Sequence, residues 1–342
     1  MSIPPEVSFH RYFQTRPRNP NAPAVYKGKQ DLDSNTITPV AASFLKDVQE
    51  ALNEALRNER QGIPEHVPHH PFHFDYIEAS FPNALAFHYQ GHAFIGVTMG
   101  LIDDLWGVST DIGNSSAVAA LLEVPATPER REAILNVTFQ TQLVFIVSHE
   151  YTHHVHGHLS ERDSGASFFN EIHEVGAGRL NDQAFEMDAD SYAVYHVLAH
   201  LITGPRRKQA LEILGHEHTP PDRQDELLVD SFVISVGAFL YWLAAVESTP
   251  AAISDRTHPI QAARMSWIMG STIGWARQNK PALTGYMTTK RFQLLMVCVS
   301  QAIPQAGSDT RWTAQTEFLR SEAGRNYFKE LEARVKKHVS VL

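Results

Sequence analysis

The chain has 342 residues, 43% of them hydrophobic and 20% charged, with a formal net charge of −9. These values fit one large or two ordinary globular domains with a sizeable core, and they exclude a global basic footprint for nucleic acid. Its single cysteine, Cys298, excludes an internal disulfide and any cysteine-based zinc site.

Residues 1–37 are rich in Pro, Asn and Arg without a period, and read as an extended or partly disordered arm. Residues 1–6 show no basic segment leading into an apolar one. No secretory signal is expected, and the expected location is cytoplasmic. Thr38-Pro39 reads as an N-cap followed by proline at the first helical position. Phe44, Val48, Leu52 and Leu56 then recur at helical spacing through residue 60. Residues 61–73 hold His66, His69, His70 and His73 among prolines, which argues for a loop more than a metal tract. A short strand is expected at 75–77. A hairpin is expected from 84–89 and 92–97 around Gln90-Gly91.

A helix begins at Thr98, and residues 111–128 read as an interrupted connection. A long helix follows over 130–158, then a polar stretch, then a second strong helix over 180–201. Further helices are expected at 206–214, 224–246, 255–275, 291–303 and 313–337, the last charged and solvent-facing. The uncharged stretch 231–246 is shorter than the roughly 18 residues of a spanning helix. It reads as a buried core helix, with weak membrane association as the alternative. The expected fold class is α+β, mostly helical, with a small sheet packed on the helices. One domain covers 38–280, preceded by the arm at 1–37 and followed by a helical extension at 281–342.

The long helix carries His149-Glu150-Tyr151-Thr152-His153. Positions i and i+4 lie about 40° apart around a helix and about 6 Å apart along it, so both imidazoles can reach one ion. Glu150 stands beside them as a candidate general base. A catalytic zinc takes three protein ligands and keeps a position open. The metzincin continuation needs glycine and histidine where His156 and Leu159 stand, so it fails. The other source is a glutamate on the second helix. Glu186 is the best candidate, with Asp190 four residues on and able to accept the free ring N–H of a ligand histidine. Small and apolar flanks, Ala184, Phe185, Ala189 and Tyr192, argue that this acidic pair has a buried partner. Glu171 and Glu174 are weaker candidates in a Gly-rich polar stretch.

Four blocks in order resemble the zinc metallopeptidases that include the CAAX prenyl endopeptidases and HtpX, a gluzincin family. They are Pro82-Asn83-Ala84-Leu85-Ala86 followed by Val97-Thr98-Met99-Gly100-Leu101, His149–His153 with His158, Glu186-Met187-Asp188-Ala189-Asp190, and Thr257-His258-Pro259 with Arg264. The resemblance covers somewhat over half of the chain. It implies a zincin-like core holding one zinc ion through His149, His153 and Glu186, with Glu150 as the base and Asp190 behind the ligands. It further implies His258 near the substrate carbonyl and Arg264 orienting the acidic groups. The chain departs from the family in lacking several spanning helices and an export signal, which points to a soluble offshoot. The expected partner is a protein or peptide, bound as an added strand along Ala93, Phe94, Ile95, Gly96 and Val97. The expected function is zinc-dependent endopeptidase. Alternatives are a zinc-holding regulatory module with an occluded site, a structural helical protein with incidental histidines, and, by a fainter resemblance, a Lit-type phage-exclusion peptidase with one protein target.

Overall fold

The computed structural model describes residues 3–15, 39–59, 71–125, 127–161, 180–246, 258–303 and 308–339. His66, His69, His70, Glu171, Glu174 and Thr257 lie outside them. In chain order the elements are α1 (Pro5–Thr15), α2 (Pro39–Glu59), β1 (Phe72–Ile77), β2 (Ala84–Tyr89), β3 (His92–Thr98), α3 (Met99–Asn114), α4 (Ser116–Leu121), α5 (Pro128–Val155) and α6 (His158–Glu161). They continue with α7 (Leu180–Leu198), a π-helical turn (Ala199–Thr203), α8 (Arg206–Leu214), α9 (Pro221–Val246), α10 (Gln261–Asn279), α11 (Leu283–Tyr286), α12 (Thr289–Ala302), α13 (Ser308–Arg320) and α14 (Glu322–Val339). This is the mostly helical α+β class that the sequence predicts. By its contacts the chain divides into two compact units. The first takes residues 1–104 and 149–173 with the last two residues, and the second takes 105–148 and 174–340.

The first unit is built on a three-stranded sheet of order β1-β3-β2. β2 and β3 form the expected hairpin, with Tyr89 opposite His92. Gln90 and Gly91 both have positive φ, 50° and 81°, the geometry of a two-residue turn that matches strand twist. β1 begins at Phe72, inside the stretch read as a loop, and pairs in parallel with β3. The β1–β2 connection therefore passes over the end of β3. Thr98 and Gly100 hold it there. Thr98 Oγ1 donates to the Phe81 carbonyl at 2.7 Å and accepts from the Asn83 N–H at 2.8 Å. Gly100 N–H donates to the Ala79 carbonyl at 2.8 Å, and a Cβ at Gly100 would sit 2.3 Å from the Ser80 carbonyl oxygen. The Asn83 and Thr98-x-Gly100 blocks thus have a physical reason: they clamp a crossover loop.

This topology overturns the substrate-strand expectation for Ala93, Phe94, Ile95, Gly96 and Val97. Each has a partner in β1 on one side and in β2 on the other, so β3 is the central strand and offers no edge. The outer side of β1 is covered by α2. Asn53 accepts from the Phe72 N–H at 2.7 Å and donates to its carbonyl at 3.0 Å, while Gln49 accepts from the Phe74 N–H at 2.7 Å. These carboxamides replace a neighbouring strand.

The start of the expected extended arm is instead helical. In α1, Phe9, Tyr12 and Phe13 fall on one face and pack on Ile77, Leu85, Phe87 and Phe94 of the sheet. The spacing i, i+3, i+4 was present in the sequence but is too short a run to outweigh the surrounding Pro and Asn.

In the second unit, α9 is long and apolar enough to cross a membrane by length and composition, yet its apolar window is wholly buried. It is a core helix packed against α10, α12 and α13. Asp230, one of four acids on α9, is fully buried, accepts from Arg291 and takes the Tyr286 hydroxyl at 2.6 Å. Burial pushes the Asp230 carboxyl up despite the Arg291 and Tyr286 hydrogen bonds, which pull the other way. Residues 111–128 are less irregular than expected, since α3 runs to Asn114 and Ser115 caps α4 by accepting from the Val118 N–H. The expected last helix is two, α13 and α14, broken at Ser321. Nor does α14 merely face solvent: Leu331 and Val335 are buried against Ala184 and Met187 of α7. Tyr327 adds a 2.6 Å hydrogen bond to Gln183.

Candidate metal centre

α5 starts with Pro128 at its first position, after Thr127, whose Oγ1 accepts from the Arg130 N–H. It ends where Gly157 takes a left-handed φ of 71°, a conformation that glycine adopts without steric cost. Its last two turns place the HExxH residues in the first unit. His149, Glu150 and His153 are all buried, at 1%, 0% and 0% exposure. The two ring Nε2 atoms of His149 and His153 lie 3.2 Å apart. Two nitrogens each about 2.0–2.1 Å from one tetrahedral zinc are about 3.3 Å apart, so this pair has the bite of a metal chelate. Two imidazole nitrogens that close need a proton or a cation between them.

The neighbouring histidines do different work. His158 Nδ1 meets His153 Nδ1 at 3.0 Å, on the ring edge opposite Nε2. That contact orients the His153 ring. His154 turns to the sheet. Its Nε2 lies 2.8 Å from the Phe94 carbonyl, which fixes Nε2 as the donor, and its Nδ1 lies 3.0 Å from His88 Nε2. His154 also stacks edge-on against Phe72, as Tyr151 does in a tilted contact. His154 is thus a strut between α5 and the sheet. No sequence pattern announces this role, because the strut depends on where β3 passes.

The second unit presents the acidic group. Glu186 and Asp190, one turn apart on α7, are both fully buried. Glu186 lies 3.3 Å from His258 Nε2, an ion pair when that ring is protonated. Arg264 on α10 donates from Nε and Nη2 to the two Asp190 oxygens at 2.9 and 2.8 Å. Arg264 is itself only 1% exposed. The buried partner that the apolar flanks called for is therefore a guanidinium, the planar donor that matches a carboxylate in two-point geometry. His149, His153 and Glu186 are buried groups that each offer one atom able to hold a metal ion.

Residues 109–276 match the family model Peptidase U49. The match supports a peptidase, a hydrolase of peptide bonds acting on a protein or peptide. It takes in both the HExxH turns of α5 and the Glu186, Asp190, His258 and Arg264 group. No curated protein and no solved structure matches the chain.

Proposed function

We propose that this chain is a zinc-dependent endopeptidase with a zincin-like core, in which His149, His153 and Glu186 hold one zinc ion. The observation that carries this reading is the 3.2 Å approach of the His149 and His153 Nε2 atoms beside a fully buried Glu150. Two imidazoles and a carboxylate are a donor set that suits zinc and leaves one position open. The order of the four sequence blocks, shared with the CAAX prenyl endopeptidases and HtpX, supports the same assignment. When bound, the ion would supply Lewis acidity toward a peptide carbonyl and lower the pKa of a water to about 7.

Glu150 takes the proton of the attacking water and delivers it to the leaving amine. His258 donates to the oxygen on which negative charge develops. Its approach to Glu186 holds the ring in place for that role. Arg264 holds the Asp190 carboxylate in place on α7 through its two hydrogen bonds. The His158 contact fixes the ring of His153. An extended substrate adds to the outer edge of β2. In this register Tyr89, Phe87 and Leu85 bond to β3, so Ala86 and His88 turn their backbone groups outward.

Glu150→Gln is expected to retain about one zinc per chain by elemental analysis and to lose 10²–10⁴-fold in cleavage of an unfolded protein substrate. His149→Gln loses the zinc itself. A Glu150→Gln variant as active as the parent removes Glu150 as the base. The near-complete burial of His149, Glu150 and His153 favours a second reading, a zinc-holding module with a closed site. Activity that appears only after terminal trimming supports it. The Lit-type resemblance gives a third form, a peptidase that ignores generic substrates and cuts one protein target.

A further inference from the structure

The second unit holds another histidine pair that the proposed peptidase chemistry does not use. His196 sits near the end of α7, and His200 lies four residues on, in the π-helical turn Ala199–Thr203. Their Nε2 atoms are 3.2 Å apart, the same separation as in the His149–His153 pair. The ring geometry also agrees: centroids 4.7 Å apart at 79°, against 4.9 Å at 72°. Ser148 Oγ lies 2.9 Å from His196 Nδ1. A metal on Nε2 requires the proton on Nδ1, and a serine oxygen there is an acceptor for it.

We infer that His196 and His200 form a second site for a borderline divalent transition-metal ion, with Ser148 fixing the His196 ring. Three observations converge on it. The N···N distance matches the bite of about 3.3 Å set by zinc–nitrogen bonds. Both rings are only partly buried, so an ion can reach them. His200 also lines an open cavity of about 40 Å³ together with Gln140, Thr141, Arg206 and Gln209. That is room for the two or so waters that complete a two-histidine coordination shell. π-Helical turns recur at functional sites because they widen the helix locally, and this one carries His200. Arg206 lines the same cavity.

The alternative is a plain hydrogen-bonded chain, Ser148 to His196 to His200, that binds no metal. Zinc titration of the chelator-stripped full chain separates the two, with a chromophoric chelator as competitor. The parent is expected to take up one more zinc equivalent than His200→Gln. His200→Asp, which keeps a ligand oxygen, is expected to retain that equivalent, and Ser148→Ala is expected to weaken it about 10–100-fold. Equal uptake by parent and His200→Gln overturns the site. So does equal loss in His200→Gln and His200→Asp, which would trace the effect to folding. His149→Gln serves as the independent control. It removes the other equivalent, so failure of the proposed peptidase centre leaves the His196–His200 result readable.

Discussion

Arg264→Met removes one partner of a charge pair that is almost wholly out of water. Asp190 is 0% exposed and Arg264 is 1% exposed, with two hydrogen bonds of 2.9 and 2.8 Å between them. Methionine keeps much of the stem and its packing but leaves the Asp190 carboxylate facing an apolar group. Breaking a buried pair in this way costs about 3–5 kcal/mol, mostly the penalty of an uncompensated buried charge. Asp190→Asn in the same chain removes that charge at nearly constant shape. The double variant is therefore expected to be more stable than Arg264→Met by about 1–3 kcal/mol, a coupling typical of residues in direct contact. Urea unfolding followed by tryptophan fluorescence reads this out, since Trp267 lies on α10 three residues beyond Arg264. Arg264→Met within about 0.5 kcal/mol of the parent would refute the reasoning. Strict additivity of the two single changes would refute it equally, because it would mean that the pair is not coupled.

Gly100→Ala places a Cβ 2.3 Å from the Ser80 carbonyl oxygen, a backbone atom with little freedom to yield. It is expected to cost about 1–3 kcal/mol in thermal or urea unfolding. Gln49→Ala leaves the Phe74 N–H without its described acceptor and opens the edge of β1. The expected cost is about 1–3 kcal/mol, with faster aggregation on light scattering. Burial, and then the neighbouring His200, lowers the His196 pKa from 6.5 to about 4. The folded state thus favours the neutral ring. Its stabilising effect is complete above pH 6.5 and is lost as the pH falls to about 4, a total of about 3 kcal/mol. In the presence of chelator, His196→Gln is expected to flatten the fall in unfolding free energy over that range, and an unchanged slope assigns it to other groups.

Much of the candidate centre was legible because its logic is local. The i, i+4 spacing of His149 and His153 on one helix face is a property of any α-helix, and apolar flanks around Glu186 and Asp190 announced burial before the partner was known. His156 and Leu159 stand where the metzincin pattern needs glycine and histidine, so a third ligand has to come from another helix. The hairpin was equally local, since Gln90-Gly91 supplies the two positive φ angles that its turn needs. The misreadings that changed the site were non-local. β3 reads like any half-buried strand, and whether it is central or at an edge depends on β1, which joins it in parallel across a loop. The α1 helix has one apolar turn and forms because the sheet offers Phe87 and Phe94 to pack on.

The helical content, the hairpin, the HExxH turns and the acidic pair are encoded locally. Each follows from backbone periodicity and turn chemistry within a few residues. Tertiary structure decided the rest: the strand order, the sealing of β1 by Asn53 and Gln49, the Arg264–Asp190 pair and the separate roles of His154 and His158. Those depend on which atoms meet across tens of residues of chain. Burial then makes each such meeting consequential, because a polar group taken from water must find its partner there.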